Sequence, residues 1–188
     1  MSEVNHNSAE EQELELLKYP VGRFQASGVK PTAAEREESI AVIEQLAAQL
    51  RAAVEPLTAE QLETPYRPGG WTVKQVVHHL ADTGMYGYLR FKRGLTEDAP
   101  QVPSYRQDLW AEQSDYAEEP AATSLEMVEL LNRRFARLLH SLTPADYDRT
   151  FVSGGLGAMT LDTAVERYIW HSRHHISQIT ALIRRSGW

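Results

Sequence analysis

The chain has 188 residues, of which 42% are apolar and 24% are charged, a balance that predicts one globular domain with a hydrophobic core. Cysteine is absent, which excludes disulfides, thiolate metal ligands and a cysteine nucleophile. The formal net charge of −7, combined with scattered basic residues, disfavours nucleic acid as a partner.

Residues 1–17 are acidic and polar, so we expect a flexible or loosely helical N-terminal extension. They lack the basic and then apolar pattern of a secretion signal, and the chain contains no run of 18 or more apolar residues. Both features predict a cytoplasmic protein without a membrane partner. Residues 18–31 contain two prolines and two glycines and predict an irregular arm. Residues 18–188 as a whole are predicted to form a single domain.

Threonines mark the beginnings of the first two long predicted helices. The first starts at Thr32, where Glu35 completes a capping box, and its apolar spacing continues until Pro56. The second follows the turn RPGGW, with Thr72 as its N-cap, and runs to about Gly94.

Two further long helices are predicted in the second half of the chain. The third is expected to start near Thr123, and the fourth to begin after Thr160 and run to Arg185, with Gly187 ending it. Four such helices with apolar stripes predict an all-α protein, a four-helix bundle with short extra helices and the irregular N-terminal arm. The long connections between them leave the order of the helices in the bundle open.

Two of those connections have their own patterns. Residues 96–120 contain three prolines and are predicted to be mostly irregular, with a short helix around 107–116. The glycine-rich stretch 151–160 predicts a small hairpin or a tight loop.

Five of the seven histidines fall into two groups on the second and fourth long helices. His171 and His175 are four residues apart, which puts both imidazoles on one helix face, one turn apart. This is the geometry that two ligands of one metal ion need. His78 or His79 is the natural source of a third ligand, and the spacing alone does not choose between them.

Three neutral imidazoles suit zinc, nickel or another borderline divalent ion. Three protein ligands also leave open coordination positions, which is typical of catalytic rather than structural metal sites. The alternative interpretation is that these histidines pack in the core or on the surface without a metal.

Two segments of the chain resemble a known family. The block TPYRPGGWTVKQVVHHLADTGMYGYLRFKRGLTEDAP and the last helix, YIWHSRHHISQITALIRRSGW, resemble the YfiT family within the DinB-like superfamily, and the arm KYPVGRF matches its YPxG segment. The resemblance spans about residues 18–188. Members of this family are described as metal-dependent hydrolases with a four-helix bundle fold.

The resemblance implies a ligand set and a cofactor. Its motifs place the ligands on the histidine before Leu, the histidine after Trp and the histidine before Ile, which are His79, His171 and His175 here. It implies one zinc or nickel ion per chain, a small-molecule substrate and a homodimer.

The remaining candidate residues are assigned smaller roles. Asp82, one turn beyond His79, is a candidate to orient that histidine without binding the metal itself. His78 and His174 then flank the ligands, and face solvent or another helix. His140 is expected to be a locally satisfied histidine and His6 to be inert.

Three functions are consistent with these features. The first is a metal-dependent hydrolase acting on an unidentified small molecule. The second is a metal-dependent S-transferase that uses a low-molecular-weight thiol of the bacillithiol type, because a metal-bound thiol ionises readily. The third is a metal-binding stress protein without catalysis.

Overall fold

The computed structural model of the protein describes residues 11–188, so His6 and most of the predicted N-terminal extension lie outside it. Residues 11–18 are helical. The elements that follow are α1 (Ala33–Val54), α2 (Ala59–Leu62), α3 (Val73–Thr96), β1 (Gln101–Val102), α4 (Gln107–Trp110), α5 (Ser114–Glu118), α6 (Ala121–His140), α7 (Pro144–Tyr147), β2 (Thr150–Ser153), β3 (Gly157–Thr160) and α8 (Leu161–Ser186). None of the described helices is both long and apolar enough to cross a membrane.

The four long helices, α1, α3, α6 and α8, form a bundle in which sequence neighbours are not always spatial neighbours. Helix α1 packs on α6 and α8, and α3 packs on the same two helices, so α1 and α3 lie diagonally opposite. The apolar stripes meet in one core that includes fully buried Ile43, Val76, Phe135 and Ile179. The predicted all-α four-helix bundle is confirmed, and the ring order α1–α6–α3–α8 is what the sequence left open.

The predicted threonine caps of the first two long helices and the glycine end of the last one are present. Thr32 and Thr72 each accept a hydrogen bond from the third residue of their helix, whose side chain bonds back to the cap amide. Thr160 accepts from Thr163 at the start of α8. Gly187 ends that helix with φ 70°, a left-handed conformation that glycine adopts without strain.

The third long helix starts within two residues of the predicted position near Thr123. Helix α6 begins two residues earlier, with Pro120 as N-cap and no side-chain cap. The ring of Pro120 fixes its φ at −64°, a value that suits the residue before a helix. The same ring would clash with a helical residue before it, so Glu119 is extended as well. Thr123 lies inside the first turn, and its hydroxyl donates to Glu119.

A small sheet closes one end of the bundle beside α3 and α8. Strands β2 and β3 form an antiparallel hairpin, which is one of the two alternatives predicted for residues 151–160. Strand β1 adds a parallel edge that the pattern did not reveal, pairing Gln101 with Val152 and Val102 with Ser153. The sheet is held to the bundle by Arg149, which donates to the carbonyl of Gly94.

The irregular arm between residue 18 and α1 lies along α8. Trp170 Nε1 donates to the Gly22 carbonyl at 3.2 Å, and Gln178 Nε2 donates to the Lys18 carbonyl at 2.8 Å. The arm therefore covers the part of α8 that carries the paired histidines.

Replacing Thr72 by Ala is expected to lower the free energy of unfolding by about 1 kcal/mol, because the first turn of α3 loses its cap. Urea denaturation of the two proteins measures this difference. Thr123→Ala is the matched control, since Thr123 caps nothing, and it should change stability by less than about 0.5 kcal/mol. Equal losses in both variants would contradict the capping role of Thr72.

Candidate metal centre

Three histidine side chains meet between α3 and α8. His79 projects from α3, and His171 and His175 project from successive turns of α8. One ring nitrogen from each lies within 4.8 Å of the others, and the Nε2 atoms of His79 and His171 are 3.4 Å apart. The three ring centroids are 4.6 to 5.3 Å apart, so the rings form one compact group.

This group is removed from water, which favours the neutral imidazoles that metals bind. His79 and His175 are buried, with exposed fractions of 1% and 8%, and His171 is partly buried. Desolvation, with a smaller contribution from the charge of His174, lowers the pKa of His79 to about 4. Desolvation lowers the pKa values of His171 and His175 well below the usual range, and the positive charges of the neighbouring histidines contribute less to the same shift. All three rings are therefore neutral at pH 7.

Gln178 sets the orientation of His175. Its side-chain oxygen lies 2.8 Å from His175 Nδ1, while its amide nitrogen donates to the Lys18 carbonyl. An amide oxygen is an acceptor only, so His175 Nδ1 must carry the proton and Nε2 keeps its lone pair. A ligand histidine commonly has its other ring nitrogen held in this way.

The geometry and the chemistry of this group fit a zinc or nickel ion. Nitrogen ligands about 2.0–2.1 Å from a tetrahedral ion lie about 3.3 Å from one another, close to the separation of the His79 and His171 nitrogens. His79 Nδ1 is buried without a hydrogen-bond partner among the described residues, and the ring of Trp71 packs on this histidine at 4.7 Å.

The neighbouring histidines are buried but do not join the group. His78 Nδ1 lies 2.7 Å from the Ser124 hydroxyl of α6, so His78 faces another helix, as one of the two expectations had it. His174 bonds to Gln178 and packs against Tyr19 of the arm. His140 is exposed and lies near two glutamates of α1.

The structure does not bring Asp82 to His79. Its carboxylate instead accepts a hydrogen bond of 2.5 Å from the Tyr116 hydroxyl. Asp82 lies four residues after His78, so the helix turns it toward the side where His78 packs against Tyr116. Burial raises the pKa of Asp82, while the bond from Tyr116 opposes this shift.

Two residues that shape the centre were not predicted for that role. Gln178 lies three residues after His175, a spacing that allows contact on a helix but occurs too often to indicate function. Trp71 packs on both His79 and His175. Its position just before the cap of α3 carries no sequence signal for this contact.

A cavity of about 280 Å³ opens beside His171. It continues along the face of α3 that carries His79, because Thr83, Gly87 and Arg90 follow at helical spacing. The hairpin tip at 154–156 and the loop at 104–107 line its other side. The three-histidine group therefore borders, through His171, a space that a small molecule could enter.

Replacing Gln178 by Leu is expected to weaken zinc binding about 10- to 100-fold, because His175 loses the bond that holds its ring and tautomer. Competition with a chelator of known affinity measures the change. Gln178→Glu keeps an acceptor oxygen and is the control that should retain most of the affinity. Unchanged zinc affinity in the leucine variant would contradict the positioning role.

The chain matches known proteins over almost its whole length. The family model of the DinB superfamily matches residues 42–179. A protein of Geobacillus thermodenitrificans named "Putative metal-dependent hydrolase" is 46% identical, with 93% of this chain and 98% of the relative covered. YfiT of Bacillus subtilis, which carries the same description, is 42% identical, with 92% of this chain and 97% of the relative covered.

Solved structures agree with the fold. The structure of Bacillus subtilis YfiT, described as a probable metal-dependent hydrolase with an unusual four-helix bundle topology, superposes with a TM-score of 0.89 over 92% of this chain and 99% of that one. The four-helix bundle protein TT2238, 18% identical, superposes with a TM-score of 0.55 over 78% of this chain and shares the fold alone. Given the family model and the identity to YfiT, this chain belongs to the YfiT family of the DinB superfamily.

Proposed function

We propose that this protein is a metal-dependent hydrolase of a small molecule, and that it holds one zinc or nickel ion through His79, His171 and His175. The observation that carries this proposal is the meeting of three neutral imidazoles, one of which, His171, lines a cavity. The descriptions of the relatives, which name metal-dependent hydrolases, support it.

The surroundings of the three histidines define how a substrate would reach them. Trp71 packs on His79 and His175, whereas the cavity opens beside His171. Substrate would therefore approach from the side of His171, between α3 and α8. Three protein ligands leave coordination open. A divalent ion bound there supplies Lewis acidity, which polarises a substrate oxygen and activates water.

Turnover assays with and without metal test the enzymatic part of the proposal. Zinc- or nickel-loaded protein is expected to hydrolyse at least one member of a panel of esters and amides without added thiol. Chelation should abolish this turnover, readdition of the ion should restore it, and His171→Ala should lack it. Turnover that survives removal of the metal would contradict the proposal.

The same assays separate the other two candidate functions. Turnover that requires an added low-molecular-weight thiol would assign the protein as an S-transferase. Metal binding without turnover in either assay would favour a metal-binding stress protein.

Homodimer formation and a cytoplasmic location are further parts of the proposal. Exposed Met85 and Leu89 lie one turn apart on α3, and Leu130 is exposed on the adjacent α6, so apolar surface is available for a second copy. Light scattering of the purified protein distinguishes a dimer from a monomer.

A further inference from the structure

The cavity beside His171 differs in charge from the rest of the molecule. The chain carries a net charge of −7, yet no aspartate or glutamate of the described residues lines this cavity. Its charged lining consists of two arginines, Arg90 from α3 and Arg167 from α8. Arg167 lies four residues before His171, on the same face of the helix.

Neither guanidinium has a carboxylate partner among residues 11–188. Arg90 makes one long hydrogen bond, 3.5 Å to the Pro103 carbonyl, and its Nε is buried without a partner among the described residues. Its guanidinium lies over the ring of Tyr86, and that of Arg167 lies over the rings of Phe24 and Trp170. Arg23, Arg36, Arg51, Arg93 and Arg106 pair with carboxylates, whereas several other arginines of the described chain do not. Arg90 and Arg167 differ from those other unpaired arginines in that burial lowers the pKa of both.

Holding two cations in this way is unfavourable without an anion. Burial lowers the pKa of both Arg90 and Arg167, and the charge of Arg90 lowers the pKa of Arg167 further. The hydroxyl of Tyr105, which also lines the cavity, is buried without a hydrogen-bond partner among the described residues. Two charged donors and one neutral donor thus line a space that has no negatively charged acceptor in the lining that the structure describes.

We propose that Arg90 and Arg167, assisted by the hydroxyl of Tyr105, bind an oxyanion of the substrate, a carboxylate or a phosphate group. The substrate class of the centre is then a small anionic molecule. It lies along the cavity with its charged group between the arginines and its reacting group toward His171. This inference rests on the proposed function for the placement of the reacting group, whereas the anion site stands on the arginines alone.

Two oxyanion probes, benzoate and inorganic phosphate, test this site by calorimetric titration of zinc-loaded protein. Benzamide, which has the shape of benzoate without its charge, is the neutral comparison. Wild type should bind at least one oxyanion probe and should bind benzamide much more weakly. Arg90→Met and Arg167→Met should each weaken oxyanion binding about 10-fold or more, because each removes a charge-assisted hydrogen-bond donor.

Arg93→Met is the matched control for loss of one positive charge. Arg93 lies three residues after Arg90 on the same helix but pairs with Glu97 at the surface. This variant should bind the oxyanions as wild type does. Arg90→Lys and Arg167→Lys keep the charge without the planar fork, and each should lose less affinity than the corresponding methionine variant.

Metal content, measured in every variant, separates this proposal from the proposed function. The arginine variants should retain the zinc content of wild type. Equal oxyanion affinity in wild type and both methionine variants would overturn the anion site. So would the failure of wild type to bind either probe, or a loss of oxyanion binding in the methionine variants that is accompanied by a loss of zinc. If wild type takes up no zinc or nickel, the proposed function fails, and the arginine comparison is still read on the metal-free protein.

Discussion

Replacing His175 by Ala is expected to weaken zinc or nickel binding more than about 100-fold, because residues that merely position a ligand already contribute 10- to 100-fold. His175 is buried among the other two histidines, and its Nε2 is left free by the bond from Nδ1 to Gln178. Chelator competition and elemental analysis of the purified variants measure the loss.

His174→Ala is the matched control for this substitution. His174 is the adjacent residue on α8, is equally buried and bonds to the same glutamine, yet it lies outside the three-histidine group. Its variant should lose less than about 10-fold in affinity. The same contrast is expected on α3, where His79→Ala should lose the metal and His78→Ala should keep it. Full metal occupancy in His79→Ala would show the ligand assignment to be wrong.

Replacing Asp162 by Ala is expected to lower the free energy of unfolding by about 3–5 kcal/mol, because the guanidinium of Arg36 is left buried without its partner. Two hydrogen bonds of 2.8 and 2.9 Å join these side chains and tie α1 to the first turn of α8. Both side chains are about one-tenth exposed. Chemical denaturation of wild type and variant gives the difference directly.

Glu129→Ala is the comparison for a solvent-exposed ion pair. Glu129 pairs with Arg51 at 3.0 Å across α1 and α6, but its side chain is more than half exposed. Water and salt screen such pairs, so the loss should not exceed about 1 kcal/mol. Similar losses in the two variants would contradict the view that burial makes the Arg36–Asp162 pair sensitive.

The parts of the fold that follow local rules could be predicted from the sequence. Thr32 and Thr72 cap their helices through hydrogen bonds to the next turn, so the residues that decide each boundary lie side by side in the chain. The start of α6 differs from the predicted position by two residues, because the conformation of Pro120 sets it and the hydroxyl of Thr123 does not. The parallel edge strand β1 depends on Gln101 meeting Val152, a contact between distant segments that periodicity does not encode.

Only the parts of the candidate centre that lie close together in the chain could be predicted from spacing. The spacing of His171 and His175 on one helix predicts that they share a face, and the structure brings them together. The choice between His78 and His79 depends on how α3 is rotated in the bundle, so the family resemblance was needed to predict it. Gln178, Arg90 and Arg167 act through tertiary contacts, and none of them lies in a motif whose spacing indicates its role.

A crystal structure of the zinc-loaded protein, with anomalous data collected at the zinc absorption edge, shows directly which residues hold the ion. One anomalous peak per chain is expected, within bonding distance of His79, His171 and His175. A peak at His78, His174 or Asp82, or no peak in protein that was exposed to zinc, would contradict this assignment.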